Sequence, residues 1–300
     1  MDSALTPSLM RLQGPDAVLG ENLLVIGKNS YIGGYIATAA TYLGAQVKAV
    51  GSEDCDFLDG AAVERFFRHL PAQSYSVVFL AVINKTVDNS FESLQRNLAV
   101  VKNFATAQAA AKINSVVYFS SVDVYGRAPE LPVSENSPIR PDSWYGLAKF
   151  GCEWILCQSG LVQAPVTVLR SPGVFGPGMN DRSVIGQIVE SVRSHRPVTI
   201  HGSGNARRDY VHVDDVFQIV RTAVQRRHRG VLNAATGQSY PISELASLVA
   251  EEFGEVLEIA HRPAFEERDF DLEFDNSAIQ ALIPGFVFKD IRHAIATYRN

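Results

Sequence analysis

Short apolar runs alternate with amphipathic segments along the first half of the chain. The apolar runs fall at 22–26, 45–50, 76–81 and 116–121, and helical patterns lie between them at 35–43, 61–70 and 88–111. Short apolar runs bounded by turn residues are typical of buried strands. Strands that alternate with helices form right-handed βαβ units. The pattern therefore predicts an α/β fold with a Rossmann-like, doubly wound parallel sheet, whose ligands bind beyond the carboxyl ends of the strands.

The order of these elements also predicts the domain organisation. Residues 21–170 are expected to form the Rossmann dinucleotide-binding domain, preceded by an N-terminal extension at 1–20. Residues 171–300 are expected to form mainly a smaller C-terminal substrate-binding lobe, with 231–235 returning to the sheet. A chain of 300 residues is long enough for a substantial core in such an arrangement.

Composition narrows the class of protein. Hydrophobic residues make up 46% of the chain and charged residues 20%, which is typical of a globular protein. The net charge is −5 and there is no long basic block, so no nucleic-acid partner is expected. The cysteines are three in number and lack C-x-x-C spacing, which predicts a reducing compartment and neither a disulfide framework nor a metal site. No stretch has the length of a signal peptide or a membrane span, so a cytoplasmic location without a membrane partner is expected.

A glycine-containing turn joins the first predicted strand to the first predicted helix. Glycines in this context let backbone N–H groups approach a pyrophosphate at the helix N-terminus. The turn therefore predicts a dinucleotide site, although a glycine pair also occurs in ordinary βα turns. The candidate cofactor-binding residues in this turn are Gly27, Ser30, Tyr31, Ile32 and Gly33.

The end of the second strand bears on the choice of cofactor. Gly51 and Ser52 stand where an acidic residue would bind the adenosine ribose hydroxyls, and Glu53 and Asp54 follow. The missing carboxylate leaves room for a 2′-phosphate, so the cofactor is expected to be NADP or NAD. Either Lys28 or Lys48 could supply positive charge to such a phosphate.

Tyr145 and Lys149 are four residues apart in a segment that reads as a helix start. Residues at i and i+4 share a helix face, so a phenol and an ammonium can reach one reactant together. A nearby cation favours the phenolate and is expected to lower the pKa of the tyrosine. Ser121 ends the fourth strand, at the edge of the sheet where ligands bind.

Several ordered motifs resemble the extended short-chain dehydrogenase/reductase family, in its branch of nucleotide-sugar epimerases, dehydratases and ketoreductases. They are the glycine turn, Phe119–Gly126 (FSSVDVYG), Tyr145-x-x-x-Lys149, Leu169–Gly178 (LRSPGVFGPG) and Thr199–Val216 (TIHGSGNARRDYVHVDDV). The resemblance implies that Ser121, Tyr145 and Lys149 are catalytic, with Tyr145 and Lys149 also binding the cofactor. It implies further cofactor contacts at Ser52, Asp56, Phe57, Leu80, Ala81 and Asn97.

The same resemblance implies a substrate site and an assembly. Arg208 falls on the arginine that binds the substrate diphosphate in this family, which suits the bidentate geometry of a guanidinium. Ser121, Gly173, Lys85 and Thr86 are expected near the sugar, the last two only from their position after the third strand. Family members usually form homodimers through the helices that correspond to 90–111 and 145–160, so a homodimer is expected.

The chain also departs from the family pattern. Ser30 replaces the middle glycine of the loop and adds a Cβ near the pyrophosphate. Gly173 replaces an asparagine beside the substrate, and Val122 replaces the aspartate that dehydratases use to expel water. Asp123 aligns with the dehydratase glutamate, but a single carboxylate does not restore the pair. Dehydration is therefore not expected.

Together the residues and the resemblance predict an NAD(P)-dependent enzyme that acts at C4 of a nucleotide-activated sugar, as a 4-ketoreductase or a 4-epimerase. Two alternatives stay open at this point. One is a non-catalytic dinucleotide sensor, which only Ser30 favours. The other is an NADPH-dependent reductase of a non-nucleotide carbonyl, against which the segment around Arg208 argues.

Overall fold

The structure is a computed structural model that describes residues 21–127, 130–179, 183–263 and 270–299. The predicted extension at residues 1–20 lies outside the described residues. Within the described part of the chain, no helix has the length and apolar character needed to cross a membrane. The same residues contain no group of three or more His, Cys, Asp or Glu side chains that could hold a metal ion.

A parallel sheet of six strands forms the centre of the fold, in the order β2-β1-β3-β4-β5-β9. The strands are β1 Asn22–Ile26, β2 Gln46–Val50, β3 Ser74–Phe79, β4 Lys112–Ser121, β5 Val166–Ser171 and β9 Gly230–Asn233. The order of β2, β1 and β3 reverses direction next to β1, so ligands are expected at the carboxyl end of that strand. The predicted α/β class with a Rossmann-like parallel sheet is confirmed.

Side chains alternate between the two faces of this sheet, as the pleat of a strand requires. From β1, Leu23 and Val25 point to one face and Leu24 and Ile26 to the other, and all are buried. One face is covered by α1 Tyr31–Tyr42 and α6 Val213–Gln225, and the other by α2 Gly60–Arg68, α3 Phe91–Ala107 and α4 Trp144–Gln158.

A second core lies in the later part of the chain. It packs α5 Val184–Arg193, α7 Ile242–Phe253 and α9 Ile291–Ala296 against small sheets built from β6 Gly173–Phe175, β7 Val198–His201, β8 Arg207–His212, β10 Ser239–Pro241 and β11 Ile259–Arg262. We call these elements the C-terminal lobe. The chain leaves this lobe at α6 and forms β9 in the main sheet, and it then returns to the C-terminal lobe. A later helix, α8 Ser277–Leu282, also packs on the main sheet.

Helix starts differ from the sequence prediction where a serine caps the helix. The pattern predicted the first helix from residue 35, but α1 begins at Tyr31 because the Ser30 hydroxyl accepts a hydrogen bond from Gly33 N. The long helix predicted over 88–111 is shorter and spans Phe91–Ala107. Its start is set by a capping box between Ser90 and Ser93. Side-chain oxygens at these positions satisfy N–H groups that the first turn leaves unpaired.

Candidate active site

Tyr145 is held at the start of α4 by two independent hydrogen bonds. The Ser143 hydroxyl caps the helix by accepting from Gly146 N at 3.1 Å. The backbone N–H of Tyr145 donates to Asn89 Oδ1 at 2.9 Å. The first turn of the helix is therefore hydrogen-bonded to the segment that precedes α3. Tyr145 is buried in this arrangement.

Ser121, Asp123 and Lys85 form a connected group beside this tyrosine. Ser121 Oγ donates to Asp123 Oδ2 at 2.8 Å, and its oxygen accepts from Asp123 N at 3.2 Å. Lys85 Nζ contacts both carboxylate oxygens of Asp123, at 2.7 and 2.6 Å. The ammonium also lies 5.7 Å from the centre of the Tyr145 ring. Lys85, expected only from its position after β3, thus lies in the same group as Ser121 and Tyr145.

Lys149 lies beneath the same tyrosine, on the buried face of α4. Its ammonium donates to the Phe119 carbonyl at 2.5 Å and lies 5.6 Å from the centre of the Tyr145 ring. Burial lowers the pKa of Lys149 to about 8, although the charges of Cys152, Glu153 and Asp123 oppose that change. The structure therefore brings Ser121, Tyr145 and Lys149 together at the carboxyl end of β4.

The pKa of Tyr145 moves in the direction opposite to the one expected. Burial raises the pKa above the ordinary value for a phenol, and the charge of Asp123 raises it further. The hydrogen bond with Ser121 lowers it, but by less. Desolvation is the largest cause, because a buried phenolate has little water around it. Without a bound ligand, the phenol keeps its proton.

The loop after β1 has the shape that a dinucleotide pyrophosphate needs. A Cβ at Gly27 would lie 2.9 Å from Ala81 N, and the positive φ of Gly27 (107°) favours glycine. A Cβ at Gly33 would lie 2.3 Å from the Gly27 carbonyl oxygen, so only glycine lets α1 pack this close to β1. Tyr31, Ile32 and Gly33 form the first turn of α1, whose N-terminus favours negative charge. The residues present fit a dinucleotide.

Ser30 has a defined role in this loop. Its hydroxyl donates to Gly27 O at 2.8 Å while it accepts from Gly33 N at 3.1 Å. The side chain therefore folds back onto the loop that it belongs to. Serine at position 30, where the family pattern has a flexible glycine, therefore caps the N-terminus of α1.

Charged side chains surround the end of β2. Lys28 Nζ lies 3.0 Å from Glu53 Oε1 and 2.6 Å from Asp54 Oδ2, and Ser52 beside them is exposed. Lys48 lies with its ammonium 5.7 Å from the centre of the Phe66 ring. Lys28, expected to be available for a 2′-phosphate, is thus paired with two carboxylates.

The other predicted cofactor residues fall into two groups. Leu80 and Ala81 lie against Gly27, and Asn97 holds the next segment by accepting from Ile83 N at 2.7 Å and donating to Ile83 O at 3.1 Å. Phe57 instead packs its ring on Phe66 and Phe79 in the core, so its side chain serves the fold. The neighbouring Asp56 accepts from Leu58 N at 2.9 Å.

The remaining predicted substrate residues lie in two different parts of the molecule. Thr86 is exposed after β3, where it donates to Asn84 Oδ1. Gly173 and Arg208 lie in the small sheet of the C-terminal lobe; Gly173 pairs with Tyr210 of β8, the strand that also carries Arg208. The guanidinium of Arg208 donates to the Phe270 carbonyl and lies 5.2 Å from the centre of the Phe270 ring.

A buried polar network behind the site was not predicted from the sequence. Arg170 of β5 binds Glu153 of α4 through two hydrogen bonds of 3.1 and 2.7 Å, and it donates to the Tyr125 hydroxyl at 2.9 Å. Tyr125 donates to Asn233 of β9 at 2.7 Å, and Ser120 of β4 donates to Glu153. The one signal in the sequence is the position of Glu153, four residues after Lys149 on the same helix face.

Comparison with known proteins agrees with this architecture. The NAD dependent epimerase/dehydratase family matches residues 23–235. A putative UDP-glucose 4-epimerase from Methanocaldococcus jannaschii is 29% identical over 177 residues, which cover 57% of this chain and 58% of the relative. The dTDP-D-glucose 4,6-dehydratase of Homo sapiens is 28% identical over 160 residues, which cover 52% of this chain and 45% of the relative. The chain thus spans about half the length of these curated relatives.

A solved structure extends the likeness over nearly the whole chain. The structure of MoeE5 in complex with UDP-glucose and NAD superposes with a TM-score of 0.80 at 26% identity. It covers 92% of this chain and 97% of the MoeE5 chain. The resemblance inferred from the sequence motifs is confirmed.

Proposed function

The chain belongs to the NAD dependent epimerase/dehydratase family, and on that premise we propose that it catalyses NAD(P)-dependent oxidoreduction at C4 of a nucleotide-linked sugar. The observation that carries the proposal is the convergence of Ser121, Tyr145 and Lys149 beyond the carboxyl end of β4. The similarity to a 4-epimerase and to a structure that binds UDP-glucose and NAD supports the substrate class.

Each of the three side chains has a distinct task in this reaction. Tyr145 transfers a proton to or from the C4 oxygen of the sugar, and its raised pKa keeps the phenol in the protonated state that carbonyl reduction requires. The hydroxyl of Ser121 hydrogen-bonds the same oxygen and orients it. Lys149 is fixed by the Phe119 carbonyl and places a positive charge under the ring where phenolate develops. The bound nicotinamide supplies or accepts the hydride.

The substrate's diphosphate is assigned to Arg208 of the C-terminal lobe. The guanidinium is held by the Phe270 carbonyl and ring, which orients a planar donor group before any anion arrives. Dehydration is left out of the proposal because Val122, next to Ser121, offers no carboxylic acid to the sugar and is buried among Val124 and Tyr125.

The reaction can be tested with two substrates. Purified protein is incubated with UDP-glucose, and formation of UDP-galactose is followed by chromatography; separately, a nucleotide-linked 4-keto sugar is added with NADH or NADPH, and loss of the reduced nicotinamide absorbance is recorded. Replacing Tyr145 with Phe is expected to reduce turnover by at least about a hundredfold, because the proton donor is lost, while cofactor binding remains.

Arg208→Ala provides a matched comparison. It is expected to raise KM for the nucleotide sugar by about tenfold or more and to leave cofactor affinity unchanged, because the groups that Arg208 contacts, the diphosphate and Phe270, are not part of the proposed cofactor loop. Unchanged turnover in Tyr145→Phe would contradict the mechanism. An unchanged KM in Arg208→Ala would favour a carbonyl substrate that carries no nucleotide, and cofactor binding without any turnover would favour a sensor.

We also propose that the chain forms a homodimer through α3 and α4. Four large apolar side chains at or near this pair of helices are exposed: Phe91 (48%), Trp144 (44%), Leu147 (41%) and Trp154 (60%). Phe91 and Trp144 pack edge to face, with ring centres 5.4 Å apart, so they form a joint apolar surface. Phe104 and Leu156 of the same helices are buried and belong to the core. A contiguous apolar patch of this kind is typical of a protein interface.

A further inference from the structure

The carboxylate of Glu53 lies where the side chain of residue 51 would be. A Cβ built on Gly51 would lie 2.4 Å from Glu53 Oε2 and 2.7 Å from Glu53 Oε1. In an aspartate, each carboxylate oxygen is about 2.4 Å from its own Cβ, the span of two covalent bonds. Relative to the backbone at position 51, Glu53 therefore places its carboxylate close to where an aspartate at 51 would place its own.

Contacts from the loop after β1 hold Glu53 in this position. Asn29 Nδ2 donates to Glu53 Oε2 at 2.7 Å, and Lys28 Nζ lies 3.0 Å from Oε1. The turn itself is closed by Asp54, whose carboxylate accepts from Gly51 N at 2.8 Å and contacts Lys28 at 2.6 Å. A hydrogen bond from its own backbone N–H, together with those from Asn29 and Lys28, lowers the pKa of Glu53, so the carboxylate is ionised at neutral pH. A side chain at position 51 would displace the carboxylate of Glu53 from this place.

The position of this carboxylate decides what it can bind. An acid at the end of the second strand accepts hydrogen bonds from the adenosine ribose hydroxyls of NAD. We infer that Glu53 takes this role for the dinucleotide of the proposed function, and that the chain selects NAD over NADP. The acid was expected at position 51 or 52, but these residues are Gly and Ser. The turn after β2 places the carboxylate of Glu53 there instead.

Charge at the site supports the same choice. Glu53 and Asp54 carry two negative charges, and Lys28 is shared between them. A 2′-phosphate would bring further negative charge next to both carboxylates, with Lys28 already engaged. Repulsion between this phosphate and the two carboxylates disfavours NADP. The neutral 2′-hydroxyl of NAD can instead donate a hydrogen bond to Glu53.

Cofactor binding alone tests the inference, independently of turnover. Dissociation constants of the full chain for NADH and NADPH are measured by fluorescence titration. The unaltered chain is expected to bind NADH at least about tenfold more tightly, because the 2′-hydroxyl of NADH donates a hydrogen bond that the 2′-phosphate of NADPH cannot donate. Glu53→Gln is expected to reduce this preference by about tenfold, mainly through weaker NADH binding. Asp54→Asn, which removes an equal charge but keeps an acceptor for Gly51 N, is the comparison and is expected to change the preference by less than Glu53→Gln does, because it removes a charge but no hydrogen bond to the ribose.

A relocation variant makes the test stricter. Gly51→Asp combined with Glu53→Ser returns the acid to position 51 and is expected to restore the NADH preference that Glu53→Ser alone loses. Equal affinity of the unaltered chain for NADH and NADPH would overturn the inference, as would an unchanged preference in Glu53→Gln. Failure to bind either dinucleotide would overturn the proposed function as well, so the two failures can be told apart.

Discussion

At the scale of single residues, Asp123 and Lys85 act in opposite directions on Tyr145. The carboxylate of Asp123 raises the pKa of the Tyr145 phenol, because a negative charge nearby disfavours the phenolate. Lys85 contacts both oxygens of that carboxylate and lies 5.7 Å from the centre of the phenol ring. Its positive charge offsets part of the effect of Asp123. The pair is therefore expected to tune the proposed proton donor, although it lies outside the proposed catalytic set.

This opposition predicts two pH profiles. Reduction needs the protonated phenol, so the rate is expected to fall as pH rises through the pKa of Tyr145 in the complex. Asp123→Asn removes a negative charge and is therefore expected to lower the pKa of Tyr145. The decrease of the rate with pH should then occur at a pH lower by on the order of one unit. Lys85→Met removes a positive charge and is expected to move it to higher pH. The measurement is the pH dependence of kcat for 4-keto sugar reduction by each variant.

The control for these profiles is Asp142→Asn, which removes an exposed carboxylate two residues before Trp144. It is expected to leave the profile in place, because water screens an exposed charge. A shift in the same direction for Asp123→Asn and Lys85→Met would show that their charges do not act on Tyr145 as described.

Residue-level prediction from the sequence was strongest where spacing along the chain fixes geometry. Tyr145 and Lys149 share a helix face at i and i+4, and the structure places both beside Ser121. The Lys85–Asp123 pair was out of reach because the two residues are 38 positions apart and meet only in the folded chain. The direction of the Tyr145 pKa shift was wrong for a related reason: burial is a property of the fold, and it is the largest cause of the shift.

At the scale of elements, one ion pair joins α4 to the main sheet. Glu153 and Arg170 form a bidentate pair that is about 5% exposed on each side, and Tyr125 and Asn233 extend it to β9. A buried charge that loses its partner stays desolvated without compensation. The pair therefore fixes the helix that carries Tyr145 and Lys149, because it locks the next turn of that helix to β5.

Removing one partner is expected to destabilise the fold strongly. Glu153→Ala should lower the free energy of unfolding by about 3–5 kcal/mol, since Arg170 is left buried and unpaired. The control is Glu64→Ala, which breaks the exposed i,i+4 pair with Arg68 and is expected to cost about 0.5 kcal/mol or less. Urea denaturation followed by circular dichroism measures both. Similar losses in the two variants would mean that the buried pair contributes no more than a surface contact.

Element positions were predicted well for the strands and less well for the helix starts. Apolar runs at β1 and β3 mark buried strands directly, whereas the start of a helix depends on a cap. Ser30 and Ser90 each accept from an N–H three residues ahead, and these local hydrogen bonds override the hydrophobic period that was used to place the helices.

At the scale of the whole molecule, the apolar surface of α3 and α4 predicts the oligomeric state. The unaltered chain is expected to sediment as a dimer at micromolar concentration, because two copies can bury this surface against each other. Trp154→Glu places a charge in the contact and is expected to give a monomer that keeps its helical content. Val256→Glu, at a position that is 90% exposed in the C-terminal lobe, is the control and is expected to leave the dimer intact. A monomeric unaltered chain would contradict the proposed assembly.

The course of the chain between the two cores was the least predictable feature at this scale. A return to the sheet was expected at 231–235, and β9 lies at Gly230–Asn233. The position of α6 on the main sheet was not expected, because its amphipathic pattern would suit either core. Only contacts such as those of Val213, Phe217 and Val220 with α1 and the sheet show which core it joins.

The late position of α6 and β9 has a consequence for how the protein is made. A ribosome releases the chain from its N-terminus, so β1 to β5 emerge before the helix that covers one of their faces. Until residues 213–233 follow, only α1 covers that face, so the apolar side chains beneath α6 stay in water and the edge of β5 stays unpaired. Most strands of the C-terminal lobe leave the ribosome in the meantime. The main sheet can therefore be completed only when much of the C-terminal lobe already exists, which joins the two halves into one folding unit during synthesis.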